Sequence, residues 1–307
     1  MKNHLFPFLL LFLFLQSCTA QKPHLAERLG YAKDAKLLII HADDLGVAHS
    51  ENAASIAAFE QGMVNSGSIM VPCPWFPEMA NYSKNNPTAD LGLHLTLTAE
   101  WDTYKWGPVA PITEVPGLVN EQGFLYDNCR DVVLNASEVE VEKEIRAQIE
   151  RALAFGVNVS HVDSHMGCLF NPKFFGIYAK VAREYKLPFL LTISGLQQFP
   201  GTAEKLLPSD VLIEDVFMIY PPQAKEGMDK FYENTLRNIP EGVSEILIHV
   251  AYDDAEMQAV TIDHPDYGAA WRQQDYNFFT SEKCRKILAE ERIQLITWRE
   301  IGKLVEK

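Results

Sequence analysis

The pattern of apolar and polar residues predicts strands and helices in alternation. Residues 37–40 are aliphatic without polar alternation, which is typical of a strand buried on both faces. Similar runs predict strands at residues 64–71, 91–97, 157–165, 189–193, 211–220, 244–250 and 294–297. Helices are predicted at residues 53–60, 76–85, 137–154, 174–185, 225–237, 280–291 and 299–305. This order indicates a single α/β domain with a parallel sheet, open or closed into a barrel.

The predicted helix at residues 137–154 has the clearest signals. Ser137 and Glu140 have the spacing of a capping box, in which each side chain bonds the backbone N–H of the other residue. Apolar residues recur at helical spacing after it, and Gly156 ends the pattern. We therefore expect a long amphipathic helix on the surface of the sheet.

A long segment at residues 101–126 is predicted to be a loop. It is rich in proline, glycine and aromatic residues and has no helical period. A loop of this length in a compact domain is usually functional or an insertion. Its Trp101, Tyr104 and Trp106 either stack on sugar rings or pack on the core.

The N-terminus has the features of an export signal. Residues 1–17 begin with a weakly basic stretch and continue as an apolar run, which is too short for a spanning helix of about 20 residues. The run ends at Cys18 in a sequence that resembles a bacterial lipobox, so we expect Cys18 to be lipidated. The alternative is an ordinary signal peptide cut after Ala20. Residues 18–35 are then a polar tether and residues 36–307 a single folded domain.

This interpretation predicts an exported lipoprotein, in the periplasm or at the cell surface, that meets the membrane only through its lipid anchor. The chain has 41 acidic and 27 basic residues and a formal net charge of −14. Such a surface argues against a nucleic-acid partner, which requires basic patches. A neutral or cationic substrate suits it better.

The cysteines give no metal or disulfide signature. Apart from the predicted lipidation site, Cys73, Cys129, Cys168 and Cys284 are widely spaced and include no C-x-x-C motif. A cysteine-based zinc site is therefore not expected. An exported chain can form disulfides, but the sequence assigns no pair, and we expect free, semi-buried thiols. The sequence does not indicate an oligomeric state.

Polar residues follow several predicted strands at the point where each strand ends. They are His41, Asp43 and Asp44, then His94, then His161, Asp163 and His165, and finally His249. Because the carboxyl ends of parallel strands meet at one rim, we expect these side chains to lie close together. One such residue alone would fit a helix cap or a core histidine, whereas several together favour a single site.

The most specific of these clusters is the one at residues 161–165. On an extended strand, His161, Asp163 and His165 lie on one face. Imidazole and carboxylate are the ligands of zinc and similar metals, although a metal-free polar cluster has the same pattern. Two histidines and one carboxylate with open positions are typical of a hydrolytic metal centre. The adjacent Asp43 and Asp44 offer one ligand and one general base.

Four segments together resemble the ordered motifs of the YdjC-like carbohydrate deacetylases, a family that includes chitooligosaccharide deacetylases. The segments are residues 41–46, 92–96, 161–165 and 245–249. The resemblance extends from about residue 36 to the C-terminus. It implies a deformed (β/α) barrel of mainly parallel strands. It also implies a metal-dependent hydrolase that removes acetyl groups from N-acetylated sugars or oligosaccharides.

The resemblance implies a divalent metal ion, magnesium or zinc, and an acetylated carbohydrate as substrate. Carried over by motif, the metal ligands are Asp44, His94 and His165, with His161 as the alternative to His165. The metal lowers the pKa of a water molecule and polarises a carbonyl oxygen.

The same resemblance makes Asp43 the general base and His249 the general acid. His41, His161 and Asp163 then line the site or support the ligands. Two positions depart from the family pattern. The fourth motif usually reads His-Pro-Gly but here is His-Val-Ala, and the histidines that often follow the third motif are replaced by Met-Gly-Cys. These departures suggest a different substrate more than a lost activity.

The sequence is also compatible with two alternative functions. One is another metal-dependent amidohydrolase or an O-deacetylase, which would use the same centre. The other is a non-catalytic carbohydrate-binding lipoprotein at the cell surface, with the aromatic loop as its binding surface.

Overall fold

The computed structural model describes residues 24–305. The predicted signal sequence and Cys18 therefore lie outside the described residues. Among the helices that are described, none is both long enough and apolar enough to cross a membrane.

Within residues 24–305, seven parallel strands form one sheet. They are β1 (Lys36–Leu45), β2 (Ser66–Ile69), β3 (Leu91–Leu95), β4 (Val162–Ser164), β5 (Asp215–Phe217), β6 (Gly242–Ile248) and β7 (Gln294–Leu295). The order across the sheet is β4-β3-β2-β1-β6-β5, and β7 pairs with the start of β1. Isolated bridges from Val162 to Phe189 and from Thr192 to Ile213 link the two edges. The sheet thus curls into the deformed barrel that the family resemblance implied.

Helices cover the outside of the sheet. In the described part of the chain they are α1 (Leu25–Arg28), α2 (His49–Glu60), α3 (Phe76–Asn85), α4 (Cys129–Asn135), α5 (Glu138–Ala154), α6 (Pro172–Glu184), α7 (Gly195–Gln198), α8 (Pro221–Ala224), α9 (Met228–Arg237), α10 (Ala255–Val260), α11 (Ala269–Phe279), α12 (Glu282–Glu290) and α13 (Trp298–Gly302). The capping box predicted for α5 is present, since the backbone N–H of Ser137 donates to Glu140 at 2.7 Å and that of Glu140 donates to Ser137 Oγ at 3.3 Å.

The alternation of side chains along β1 separates two apolar clusters and positions the site. Leu37 and Ile39 belong to a small cluster enclosed by the strands, whereas Leu38 and Ile40 pack into the larger cluster beneath the helices. All four side chains are fully buried, and each contributes roughly 1.5–3 kcal/mol of hydrophobic stabilisation. The same period of two directs His41 to the inside of the barrel.

The last part of the predicted tether belongs to the folded domain. In α1, Leu25 is 6% exposed and Ala26 is fully buried in the small inner cluster. Helix α1 also contacts β6. Because these apolar side chains close the end of the barrel where the strands begin, residues 24–35 are not a free polar linker.

The aromatic residues of the segment at 101–126 pack mainly on the core. Trp101 and Trp106 are 4% and 3% exposed, and Tyr104 is partly buried beside them. The indole N–H of Trp106 donates to the carbonyl oxygen of Thr98 at 2.9 Å. The segment contains two short 3₁₀ turns and isolated bridges at Val119, Leu125 and Tyr126 but no regular helix or strand, so the predicted loop is confirmed. These contacts correspond to packing on the core, and Trp101 also lines the cavity described below.

Two predictions about this fold are wrong. Residues 189–193 form only isolated bridges and not a regular strand. Cys129 and Cys168 form a disulfide, with Cα atoms 5.1 Å apart, although the sequence analysis expected free thiols. The pair is 39 residues apart in sequence, and only the fold brings the two residues together. Cys73 and Cys284 are free and buried.

Candidate active site

The two carboxylates at the end of β1 reach the same rim through an irregularity of the strand. Alternate residues of a regular strand point in opposite directions, but the pairing of β1 with β2 shifts register here, and Asp44 has a φ of 65°. This left-handed conformation brings the side chain of Asp44 beside that of Asp43. The turn that follows is held by Gly46, whose backbone N–H donates to Asn52 Oδ1 at 2.7 Å.

Three predicted metal ligands come together at this rim. Asp44 Oδ1 lies 3.6 Å from His94 Nε2 and 3.3 Å from His165 Nδ1. Candidate ligand atoms of these three buried residues all lie within 4.8 Å of one another. Asp44 Oδ1 is buried and has no partner with hydrogen-bond geometry in the described chain. A buried, unpaired carboxylate oxygen facing two imidazole nitrogens fits a divalent cation, which would satisfy all three.

The remaining nitrogen of each histidine bonds to a carboxylate. His94 Nδ1 lies 2.6 Å from Asp163 Oδ1, and His165 Nε2 lies 2.9 Å from Glu100 Oε2. If these nitrogens carry the proton, the nitrogens that face Asp44 present lone pairs. Histidine ligands of metals in proteins are typically oriented in this way. Sequence reasoning missed Glu100, which lies in a loop shortly after β3.

The electrostatics of this rim also favour a cation. Burial lowers the pKa of His165, but Glu100 and Asp44 outweigh burial and raise the pKa to about 10. Burial likewise lowers the pKa of His94, and Asp43 and Asp163 reverse the effect and raise it. Both imidazoles therefore experience a negative field, which a bound metal ion would neutralise.

His161 does not join the three residues around Asp44. It lies deeper in the barrel, where its ring stacks on Trp298 with the ring centroids 5.1 Å apart. The absence of a side chain at Gly92 makes room for it, since a Cβ atom there would lie 2.4 Å from the ring. Of the two histidines that the sequence left as alternatives, the structure places His165 beside Asp44.

His41 lies between the deeper layer and the rim. Its Nε2 atom lies 3.1 Å from Asp43 Oδ1 and 3.2 Å from Asp163 Oδ2. Its two ring nitrogens also lie within hydrogen-bond distance of the hydroxyls of Ser66 and Ser68. His41, Asp163 and His161 offer ligand atoms within 4.8 Å of one another as well. Both nitrogens of His41 already have hydrogen-bond partners, whereas His161 Nε2 is buried without one.

A buried arginine, missed in the sequence, holds the second oxygen of Asp44. Arg272 on α11 donates to Asp44 Oδ2 and to Glu51 Oε2, each at 2.8 Å. Burial raises the pKa of Asp44, but Arg272 and His165 outweigh it and hold that pKa well below its usual range. The carboxylate is therefore ionised and available as a ligand. Burial raises the pKa of Glu51 to about 8 despite the arginine.

His249 lies at the edge of the same group. Its Nε2 atom is 4.0 Å from Asp44 Oδ2, and its backbone N–H donates to Asp275 Oδ2 at 3.0 Å. Burial lowers the pKa of His249 to about 4, with Asp44 opposing and Arg272 adding to the effect. The imidazole is therefore neutral near pH 7, and it must gain a proton before it can act as a general acid.

A cavity of about 920 Å³ opens above these residues and includes Asp43, Asp44, His94 and His165 in its lining. This volume is within the range of small-molecule sites. Its walls combine aromatic and acidic side chains. The aromatic residues are Trp101, Phe170, Phe199, Phe217, Tyr220, Phe231 and Tyr267, and the acidic residues besides Asp43, Asp44 and Asp163 are Glu100, Asp215 and Asp266.

Residues 37–290 match the family model described as YdjC-like protein, and the chain belongs to this family. It is 31% identical to a carbohydrate deacetylase from Thermus thermophilus, over 90% of this chain and 97% of that protein. It is 28% identical to a carbohydrate deacetylase from Geobacillus stearothermophilus, over 87% and 98% of the two chains.

Two further relatives extend this comparison. A chitooligosaccharide deacetylase from Yersinia enterocolitica is 32% identical over 53% of this chain and 62% of its own length. The fold is similar to the crystal structure of an Enterococcus faecalis V583 protein described as a candidate cellobiose-phosphate cleavage protein. That comparison has a TM-score of 0.74 and 26% identity, and covers 87% of this chain and 99% of the other.

Proposed function

We propose that this protein is a metal-dependent deacetylase that removes the acetyl group from an N-acetylated sugar or oligosaccharide. The observation that carries the proposal is the group of Asp44, His94 and His165, with Asp43 beside it at the floor of the cavity. The naming of several relatives as carbohydrate deacetylases supports the same reaction. Asp44, His94 and His165 would hold the metal.

A divalent ion held there, magnesium or zinc, would supply a Lewis acid that polarises the acetyl carbonyl and makes a water molecule more acidic. In our proposal Asp43 takes the proton of the attacking water. The bond between the acetyl carbon and the sugar nitrogen then breaks, giving acetate and a free amine. The proton that Asp43 takes from the water passes to His249, which donates it to the departing nitrogen, so that the step needs no other proton source.

The walls of the cavity support a carbohydrate substrate. Aromatic side chains provide flat apolar surfaces on which sugar rings can stack, and among them Tyr267 lies next to His249 with ring centroids 5.4 Å apart. The acidic lining suits a neutral or cationic sugar and disfavours a phosphorylated or sulfated one.

We also propose that the protein acts outside the cytoplasm, as a lipoprotein anchored through Cys18. The lipobox-like sequence at residues 15–18 supports this location. The disulfide between Cys129 and Cys168 is compatible with it, because such bonds persist in oxidising compartments. Cell fractionation beside a Cys18→Ser variant tests the anchor. We expect the wild-type protein in the membrane fraction and the variant outside it, whereas wild-type protein in the soluble fraction would contradict it.

The test of the reaction is acetate release from a panel of N-acetylated and O-acetylated oligosaccharides, with and without a chelator. We expect chelator-sensitive release of acetate and an equal amount of free amine from N-acetylated sugars. Release from O-acetylated sugars alone would contradict the amide as substrate. A wild-type protein that binds no divalent metal under any loading condition would contradict the catalytic proposal and favour a binding protein.

A further inference from the structure

We infer that the disulfide between Cys129 and Cys168 is a positioning element of the metal site, because it fixes the loop that presents His165. This inference rests on the proposed function, since it assigns the disulfide a role in metal binding. Cys168, one of the two cysteines of this disulfide, lies three residues after His165 in the chain.

The backbone directly after His165 adopts an unfavourable conformation. Met166 has a φ of 54° and Gly167 a φ of 70°, so two consecutive residues are left-handed. Methionine adopts this conformation rarely, because its Cβ atom crowds the backbone. Such a conformation persists only where the surrounding structure holds it.

Side-chain packing does not hold this turn at its apex. The side chain of Met166 is 57% exposed, whereas Cys168 is 1% exposed and Leu169 is fully buried. The backbone N–H of Leu169 donates to Ser164 Oγ at 3.0 Å. The turn is thus fixed at its two ends, by β4 on one side and by the disulfide-bonded Cys168 on the other.

The other half of the disulfide is held by contacts of its own. Cys129 begins α4, and its sulfur lies 3.3 Å from the carbonyl oxygen of Met166. At the far end of α4, Lys173 donates to the carbonyl oxygens of Val133 and Ala136 at 2.6 and 2.7 Å. Helix α4 is therefore tied to α6 without the disulfide and can serve as a fixed point for the loop.

Apart from its approach to Asp44, the ring of His165 has one hydrogen-bonding side-chain partner in the described chain. Its Nε2 atom bonds Glu100, and Glu100 itself lies in a loop. Without the disulfide, the left-handed turn can relax and His165 Nδ1 can move away from Asp44 Oδ1, from which it is now 3.3 Å. A ligand displaced in this way loses metal affinity even when the rest of the domain stays folded.

The experiment is a titration of the purified, metal-stripped protein with zinc and with magnesium by calorimetry. It compares the wild type with the Cys129→Ser/Cys168→Ser double variant at a temperature at which circular dichroism shows both to be folded. We expect the double variant to bind metal at least tenfold more weakly, a loss typical of removing support from a metal ligand. Affinity within twofold of the wild type would overturn the inference.

The matched control is Cys284→Ser, which makes the same substitution at a buried cysteine on α12. It lowers stability without touching the loop, so we expect unchanged metal affinity. An equal loss of affinity in this control would assign the effect to general destabilisation and overturn the inference.

If the double variant does not fold, the wild-type disulfide is reduced in the folded protein, the thiols are alkylated and the reductant is removed before the titration. A tenfold loss of affinity supports the inference and an unchanged affinity overturns it. Failure of the wild-type protein to bind either metal would overturn this inference together with the catalytic proposal. Equal metal affinity with and without the disulfide would overturn this inference and leave the catalytic proposal standing.

Discussion

The Nδ1 atom of His94 lies 2.6 Å from the Oδ1 atom of Asp163, and the two residues are direct partners in the pairing of β3 with β4. The second oxygen of Asp163 lies 3.2 Å from His41 Nε2, which is also 3.1 Å from Asp43 Oδ1. One buried carboxylate thus links a proposed metal ligand to the imidazole beside the proposed base. The links use side chains that β1, β3 and β4 direct to the inside of the barrel.

The first prediction concerns this carboxylate. Asp163→Ala removes the acceptor that orients the ring of His94, so we expect metal affinity to fall about 10- to 100-fold. Calorimetric titration measures the change. Asp215→Ala is the control, because Asp215 lines the same cavity but is distant in sequence from the three ligands and is absent from the candidate metal groups. Unchanged affinity in Asp163→Ala would show that His94 is oriented by other contacts.

The second prediction concerns the buried arginine. Arg272→Met leaves the ionised carboxylate of Asp44 buried without its cation and removes a hydrogen-bond donor from the carboxyl group of Glu51, so we expect the free energy of unfolding to fall by about 3–5 kcal/mol. Urea unfolding measures it. The exposed Arg285→Met is the control and should change stability by less than about 0.5 kcal/mol. If Arg272→Met lowers the free energy of unfolding by less than about 1 kcal/mol, the contacts of Arg272 with Asp44 and Glu51 do not stabilise the fold as predicted.

The third prediction is a pH dependence of stability. Burial raises the pKa of Asp275 to about 7 in the folded protein, against about 3.9 in an unfolded chain. The folded state therefore binds more protons between these values. The stability that Asp275 contributes is fully present below about pH 4 and is lost as the pH rises to about 7. In Asp275→Asn this contribution is absent, because the amide does not titrate.

The measurement is urea unfolding of the wild type and Asp275→Asn from pH 5 to pH 8. We expect the wild type to lose stability relative to the variant by at most about 1.4 kcal/mol per pH unit up to about pH 7 and little beyond it. The exposed Asp229→Asn serves as the control, with no such difference expected. A constant difference between wild type and Asp275→Asn at all pH values would contradict the prediction.

The fourth prediction concerns the room that Gly92 leaves for His161. Gly92→Ala places a Cβ atom 2.4 Å from the imidazole in the closed interior, so we expect a loss of roughly 1–3 kcal/mol of stability. The control is Gly176→Ala on α6, where the nearest atom is 3.8 Å away and alanine favours the helix. Thermal unfolding measures the stability of the two variants relative to the wild type. Equal effects of the two substitutions would mean that His161 moves freely aside.

Much of the barrel could be predicted from the sequence because its strands are short apolar runs with a polar end. The capping box of α5 and the bounds of α3 follow from local signals that act within one turn of helix. Residues 189–193 were misread as a strand because their apolar side chains fill the gap between two sheet edges. Burial alone does not distinguish such a bridge from a regular strand.

The residues that sequence reasoning missed are those whose role depends on distant contacts. Helix α11 buries Arg272 and Asp275 together with aromatic residues, so its sequence has no clear polar face and predicts no helix. Glu100 and Glu51 have no local signal that separates them from surface acids. The partner of Cys168 likewise follows only from the approach of α4 to the loop after β4.

The most direct test of the account compares two adjacent carboxylates, Asp43→Asn and Asp44→Asn, for bound metal and for acetate release on the same samples. The account predicts that Asp43→Asn keeps one metal ion per chain and loses deacetylation by at least about 100-fold, as expected for removal of a general base. It predicts that Asp44→Asn loses both the metal and the activity. Loss of metal in Asp43→Asn, or full activity in either variant, would contradict the division of roles on which the account depends.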